Sequence, residues 1–241
     1  MSNKFIPVQQ SNLSNMFTRI NVDIDKIYTT LNEDELLKVY DQTQNRYLTN
    51  PIRKWIGEKL AIAYYFNLDK SKNKRILDIG TGAGWFPYIC KTLGHNVLGT
   101  DELGRKEYDP VYDFFNIEVI DSLVHPFRPI ENITGKFNLI TCMRGFFSTR
   151  PQVWNKKEWH FFFEDILKYM EDDGHLYLSM NSGAKRFPYK EYPEENRGHY
   201  GSKETSDWLE QYEIPKNHRI RSFMKPAIML NTLQVKEILN G

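Results

Sequence analysis

The stretch "RILDIGTGAGWF", residues 75–86, constrains this chain more than any other. A short apolar run carries Asp78 near its end. Gly80, Gly82 and Gly84 then follow at alternate positions, before an aromatic, apolar segment. A buried strand, a tight turn and a helix satisfy that order, because glycine lets the backbone turn sharply and approach a ligand closely. Strand and helix patterns alternate from there on. "NVLGTD", "IEVIDSL", "FNLITCM" and "HLYLSM" read as strands, and "WFPYICKTLG" and "WHFFFEDILKYM" as helices. Pro87 falls in the first turn of its helix, where proline is tolerated, and Gly94 closes it. "DDG" turns the chain into "HLYLSM", and "HRIRSFMKPAIMLN" supplies one or two antiparallel strands. The expectation is a doubly wound α/β domain over residues 52–241, with a mostly parallel, seven-stranded sheet covered on both faces.

Residues 1–51 read as a helical extension that caps this domain. Residues 1–30 are mixed and weakly patterned. Asn32 can cap a helix whose first turn holds Glu33, Asp34 and Glu35, favoured by the helix dipole. Pro51 interrupts, and "IRKWIGEKLAIAYYFNL" follows as an amphipathic helix.

Composition narrows the function classes. The formal net charge is +1, which gives no bulk attraction to nucleic acid or to an anionic membrane. No stretch approaches the roughly 20 apolar residues of a membrane span, and the first residues lack the apolar core of a secretion signal. A cytoplasmic protein is expected. Cys90 and Cys142, both within apolar runs, read as buried thiols rather than a disulfide framework or metal cluster. No metal is expected, nor any nucleic-acid or membrane partner. The number of subunits is left open.

In a doubly wound sheet, ligands sit beyond the carboxyl ends of the strands at the topological switch. Dinucleotide enzymes place G-x-G-x-x-G there and rest a pyrophosphate on the helix N-terminus. Here the third glycine of that pattern would fall on Trp85 or on Pro87, and Asp78 would stand beside the phosphates. Both features disfavour NAD. The run "LDIGTGAG" instead resembles the first motif of class I S-adenosylmethionine-dependent methyltransferases, (D/E)-x-G-x-G-x-G, in full. The resemblance covers about residues 73–182 and implies a Rossmann-like fold with S-adenosylmethionine as cofactor, leaving S-adenosylhomocysteine as product.

The resemblance also implies roles. The turn Gly80, Thr81, Gly82 and Gly84 would hold the methionine half of the cofactor, and Asp78 would place its ammonium group. Asp101 ends the second strand about 20 residues beyond the first glycine, a spacing at which an acid can accept both ribose hydroxyls. "VIDSLVHPF" is similar to the family's adenine loop, which assigns Asp121 to the adenine amino group and the backbone of Ser122 or Leu123 to the ring. Arg46, with Tyr40 and Tyr47, belongs to the N-terminal part that closes over the cofactor.

The acceptor is less constrained. "TCMRGFFS" at the fourth strand end lacks the D-P-P-Y type motif of enzymes that methylate amino groups of DNA bases. Arg144, at that strand end, can pair with the methionine carboxylate or with an acidic acceptor. The polar, aromatic segment 181–202 is long enough to be functional and holds His199, the candidate general base. Together these suggest methyl transfer to a small polar acceptor at oxygen, with the cations suiting an anionic one. The single-domain layout and "MRGFF…HFFFEDILKYMEDDGHLYL" are similar to bacterial methyltransferases of capsule and surface-sugar pathways, some acting on sugar hydroxyls and some on a phosphate-type group. Two other readings stay open: a catalytically silent cofactor-binding regulator, and a nucleotide-dependent oxidoreductase.

Overall fold

A computed structural model of the chain describes residues 13–49, 51–145, 153–180, 197–198, 200–214 and 227–240. Three helices come first: α1 (Leu13–Thr30), α2 (Glu33–Thr43) and α3 (Ile52–Tyr65), with a 3-10 turn, Arg46–Leu48, between the last two. The α/β part then runs β1 (Arg75–Ile79), α4 (Trp85–Thr92), β2 (Asn96–Asp101), α5 (Asp109–Phe115), β3 (Glu118–Asp121), β4 (Phe137–Gly145), α6 (Lys156–Tyr169) and β5 (Met170–Met180). A ribbon of β6 (Arg197–Gly198) and β7 (Gly201–Ser202) leads into α7 (Lys203–Glu210), and β8 (Ala227–Asn231) and α8 (Thr232–Asn240) close the chain.

The main sheet has the order β3-β2-β1-β4-β5-β8. Every pairing is parallel except β5 with β8. The order reverses between β1 and β4, so the switch point opens at their carboxyl ends. The described residues form six strands of this sheet rather than seven. Only Ala227–Asn231 of the late segment is a described strand, and residues 215–226 lie outside the described ones. "DDG" does not separate α6 from a strand. It is an excursion within β5, which pairs Phe137 with Met170 and then Leu139 with His175. The Thr232 hydroxyl donates to the Glu171 carbonyl at 2.6 Å and pins that excursion to α8.

Residues 13–30 prove to be regular helix. Met16, Ile20 and Ile27 are buried, at helical spacing, while polar residues interleave enough to blur the pattern. Asn32 caps α2 by accepting from the Glu35 amide at 3.2 Å. The sheet is clothed on both faces. On one, α1 to α5 pack over Ile76, Leu139, Tyr177 and Ala227 in a single apolar cluster. On the other, α6 to α8 pack over Leu77, Ile79, Ile140, Leu178 and Ile228. The period-2 alternation of strands therefore puts Asp78 and Thr141, like Ile76 and Leu139, on the face covered by α3. Among the described residues, no helix is long and apolar enough to cross a membrane.

Candidate functional site

A cleft of about 490 Å³ opens at the switch point. The glycine turn forms its floor. The amides of Gly80 and Thr81 both donate to the Thr100 carbonyl, at 2.8 and 3.1 Å, and hold the turn against β2. Gly80, Gly82 and Gly84 all take left-handed backbone angles, with φ of +70°, +56° and +69°. Their surroundings differ. A Cβ on Gly80 would meet nothing within 4 Å, so this position keeps an open cradle. A Cβ on Gly84 would come within 2.8 Å of Ile117 Cδ1, so Gly84 serves packing and the entry to α4. Thr81 donates from Oγ1 to the Asp78 carbonyl at 3.0 Å. It fits there because residue 99 is glycine: a Cβ would stand 2.4 Å from that hydroxyl oxygen.

Asp78 is buried in the cleft wall and accepts from Thr141 Oγ1 at 2.5 Å, across paired strand positions. Burial pushes its carboxyl up to about 7, against the lowering effects of the Thr141 hydrogen bond and of Lys59. Lys59, on α3, rests its Nζ 3.4 Å from Met143 Sδ. Burial and the nearby Arg144 bring its ammonium down to about 8, while Asp78 and Glu58 oppose that. Arg144 donates from Nη2 to Glu58 Oε2 at 2.6 Å and sits 5.7 Å from the Trp55 ring. Its own backbone is left-handed, φ +61°, an uncommon state for a residue with a side chain. The switch point thus gathers Lys59, Asp78 and Arg144 in the lining beside the glycine cradle, with Glu58 paired to Arg144: two carboxyl groups and two basic groups.

Asp101 is buried at the end of β2, but its carboxylate already has protein partners. Oδ2 accepts from the Gly82 amide at 2.6 Å and from the Tyr112 hydroxyl at 3.1 Å, and Oδ1 accepts from the Glu102 amide at 2.9 Å. A carboxylate offers about four acceptor positions, so room remains for one hydroxyl rather than two. Its first task here is to brace the glycine turn.

Two expected positions stand elsewhere. Asp121 is exposed on the edge strand and outside the cleft wall, where Oδ1 accepts from the Leu103 amide at 3.1 Å. Ser122, Leu123, Val124 and His125 make that wall instead. Ser122 is held by donating its amide to the Asp101 carbonyl at 3.0 Å. Arg46 is exposed and not part of the cleft lining, with Nη2 donating to the hydroxyl of Tyr47 at 3.1 Å. Its neighbour Tyr47 lines the cleft, with Trp55 against it at 5.1 Å between ring centroids. His199 lies outside the described residues.

Sequence reasoning missed Lys59, Tyr47's neighbour Trp55, and the pair Arg105 and Tyr108, stacked 4.6 Å apart on the opposite lip. Lys59 carried a signal: it falls on the buried stripe of α3, three residues after Ile56 and just before Leu60. Cys142 also lines the cleft, but burial pushes its thiol well up, which leaves no reactive thiolate. Among the described residues, no cluster of His, Cys, Asp and Glu could hold a metal ion.

The topology and the cleft together define a Rossmann-like α/β domain. No family model matches the chain, and no curated protein matches it in sequence. Solved structures similar to it include a TehB-like SAM-dependent methyltransferase from Corynebacterium glutamicum, at 19% identity and a TM-score of 0.40, covering 56% of this chain and 66% of that one. Another is an S-adenosylmethionine-dependent methyltransferase from Clostridium acetobutylicum, at 15% identity and 0.40, covering 62% and 57%. A third is SAM-bound CalS10, an amino pentose methyltransferase from Micromonospora echinaspora, at 17% identity and 0.40, covering 52% and 50%. The chain therefore spans between half and two thirds of the length of these structures.

Proposed function

We propose that this protein is an S-adenosylmethionine-dependent methyltransferase acting at an oxygen of a small, anionic acceptor. The observation that carries the reading is the charge set beside the glycine cradle. A pyrophosphate would lie against the buried Asp78 and be repelled. An amino-acid zwitterion with a sulfonium meets complementary groups: Asp78 for the ammonium, and Lys59 and Arg144 for the carboxylate. The open space at Gly80, where no side chain stands, fits a methionine tail.

When bound, the cofactor supplies a methyl group already activated by its positive sulfur. The chain's contribution is then to bind and orient. Gly80 and Gly82 leave space for the tail, Asp101 accepts one ribose hydroxyl while bracing the turn, and Leu123 and Val124 give the base an apolar seat. Arg144, near the end of β4, lines the cleft and would pair with the methionine carboxylate or with an acidic acceptor. A sugar hydroxyl would need a base, for which His199 is the candidate. A phosphate-type oxygen would need none. Both acceptor types suit the surface-sugar chemistry that the sequence suggests.

Calorimetry with S-adenosylhomocysteine and with NAD tests the cofactor. Binding of the first alone supports the reading, and binding of NAD alone refutes it. Transfer of labelled methyl to a panel of sugars and sugar phosphates then tests the acceptor. Tight binding without turnover on any acceptor would favour the silent regulator.

A further inference from the structure

The cleft has two lips from distant parts of the chain. One is the 3-10 turn Arg46–Leu48, which carries Tyr47. The other is the loop before α5, which carries Arg105 and Tyr108. Asn45 joins them. Its Oδ1 accepts from the Tyr47 amide at 3.1 Å, and its Nδ2 donates to the Glu107 carbonyl at 2.8 Å. Those two partners fix the amide's orientation, since one needs an acceptor and the other a donor. Asn45 itself is buried and does not line the cleft. Glu107 continues the link, because its carboxylate accepts from Arg105 Nε at 3.0 Å. A second tie backs the first: Trp85 Nε1 donates to the Tyr47 carbonyl at 2.9 Å. The turn carrying Tyr47 is thus fastened both to the helix that follows the glycines and to the opposite lip.

Resting on the cofactor reading above, we propose that Asn45 is a positioning residue. Without touching the ligand, it ties the two lips to each other from outside the cleft lining and so governs how tightly and how long the cofactor is held. A hydrogen bond bridging 62 residues does nothing for the local turn, which needs only Oδ1. In this proposal the two segments part when the cofactor leaves, so the strength of the cross-tie enters the release rate.

Asn45→Asp separates the two functions. It keeps the oxygen that caps the turn and replaces the donor to Glu107 with an acceptor. The expected result is S-adenosylhomocysteine bound roughly 5- to 10-fold more weakly, with the loss in the release rate. In turnover, KM for S-adenosylmethionine rises while kcat holds. Hydrogen exchange should quicken together in residues 46–48 and 105–108. Trp85→Phe should act in the same direction, and the double variant should lose less than the product of the two, because both changes free one turn. Unchanged affinity and release rate in folded Asn45→Asp would overturn the proposal, as would multiplicative losses in the double variant. Should Asn45→Asp not fold, Trp85→Phe alone decides by the same release and exchange measurements. Failure of the unaltered protein to bind S-adenosylhomocysteine would overturn the cofactor reading instead, and the exchange comparison would still show whether the tie closes the lips.

Discussion

Asp78→Asn should make the protein more stable above neutral pH and abolish most cofactor binding. The carboxyl is pushed up to about 7 from 3.8 by burial, the Thr141 hydrogen bond and Lys59 notwithstanding. A folded-state value above the unfolded one means that the folded protein keeps a proton the unfolded chain has lost. The stability this contributes is fully present below about pH 4 and is lost as pH rises through 7. About three units correspond to at most ~4 kcal/mol. Asparagine has no proton to lose, yet its amide N–H groups need acceptors, so a gain of about 2 kcal/mol at pH 8 is the expectation. For a chain of this size that is a Tm roughly 4–8 °C higher. Thermal unfolding of both proteins from pH 4.5 to 8.5 should show the two curves separating as pH rises towards 7 and keeping a constant gap above it. In parallel, losing a charge-assisted hydrogen bond should weaken S-adenosylhomocysteine about 10- to 100-fold. Binding by the unaltered protein should itself weaken below pH 7, as Asp78 takes up its proton. Stability curves parallel over the whole range, or a variant less stable at pH 8, would refute the reasoning. A residue that costs stability and secures binding is placed for function.

Three further outcomes follow from the same geometry. Gly84→Ala should lower stability by about 2–3 kcal/mol, since a left-handed backbone and a close approach to Ile117 add together, whereas Gly80→Ala should cost about 1–2 kcal/mol and chiefly weaken cofactor binding; chemical denaturation and calorimetry on both variants check this. Arg144→Ala should raise KM for cofactor or acceptor roughly tenfold, read by steady-state kinetics, and unchanged values for both would remove Arg144 from the site. Burial holds His95 and His175 below the usual histidine value; with folded values depressed, stability present above about pH 6.5 should drain away as pH falls further, most visibly in Asp78→Asn, where the opposing carboxyl is gone, and a flat acid limb in urea titrations there would refute it.

The sheet and the floor of the cleft could be read from the sequence because local pattern dictates both. Three glycines after an apolar run admit few backbones, and alternating strands and helices admit few topologies. Asp78 followed from the same turn. The walls could not be read so directly, because they come from elsewhere in the chain. Lys59 and Trp55 reach the switch point from α3, which precedes β1, and no spacing rule ties them to the glycines. Asp121 illustrates a limit of register: it ends its strand level with Asp101, yet on an edge strand, where it is exposed and accepts from the Leu103 amide. Asp101 matched in position but carries three protein donors that no spacing could foretell.

The apolar cluster that runs from Met16 to Ala227 bears on how the chain is made. During synthesis α1, α2 and α3 leave the ribosome before the sheet, with apolar residues that α1 and α3 cannot cover by packing on each other alone. That surface is assembled from β1, β4, β5 and β8, and Ala227 belongs to the last of these. These helices must therefore wait for strands made after them, and their apolar residues stay exposed until β8 has emerged. The segment that supplies Tyr47, Trp55 and Lys59 to the cleft is thus also the one whose apolar residues wait for the sheet.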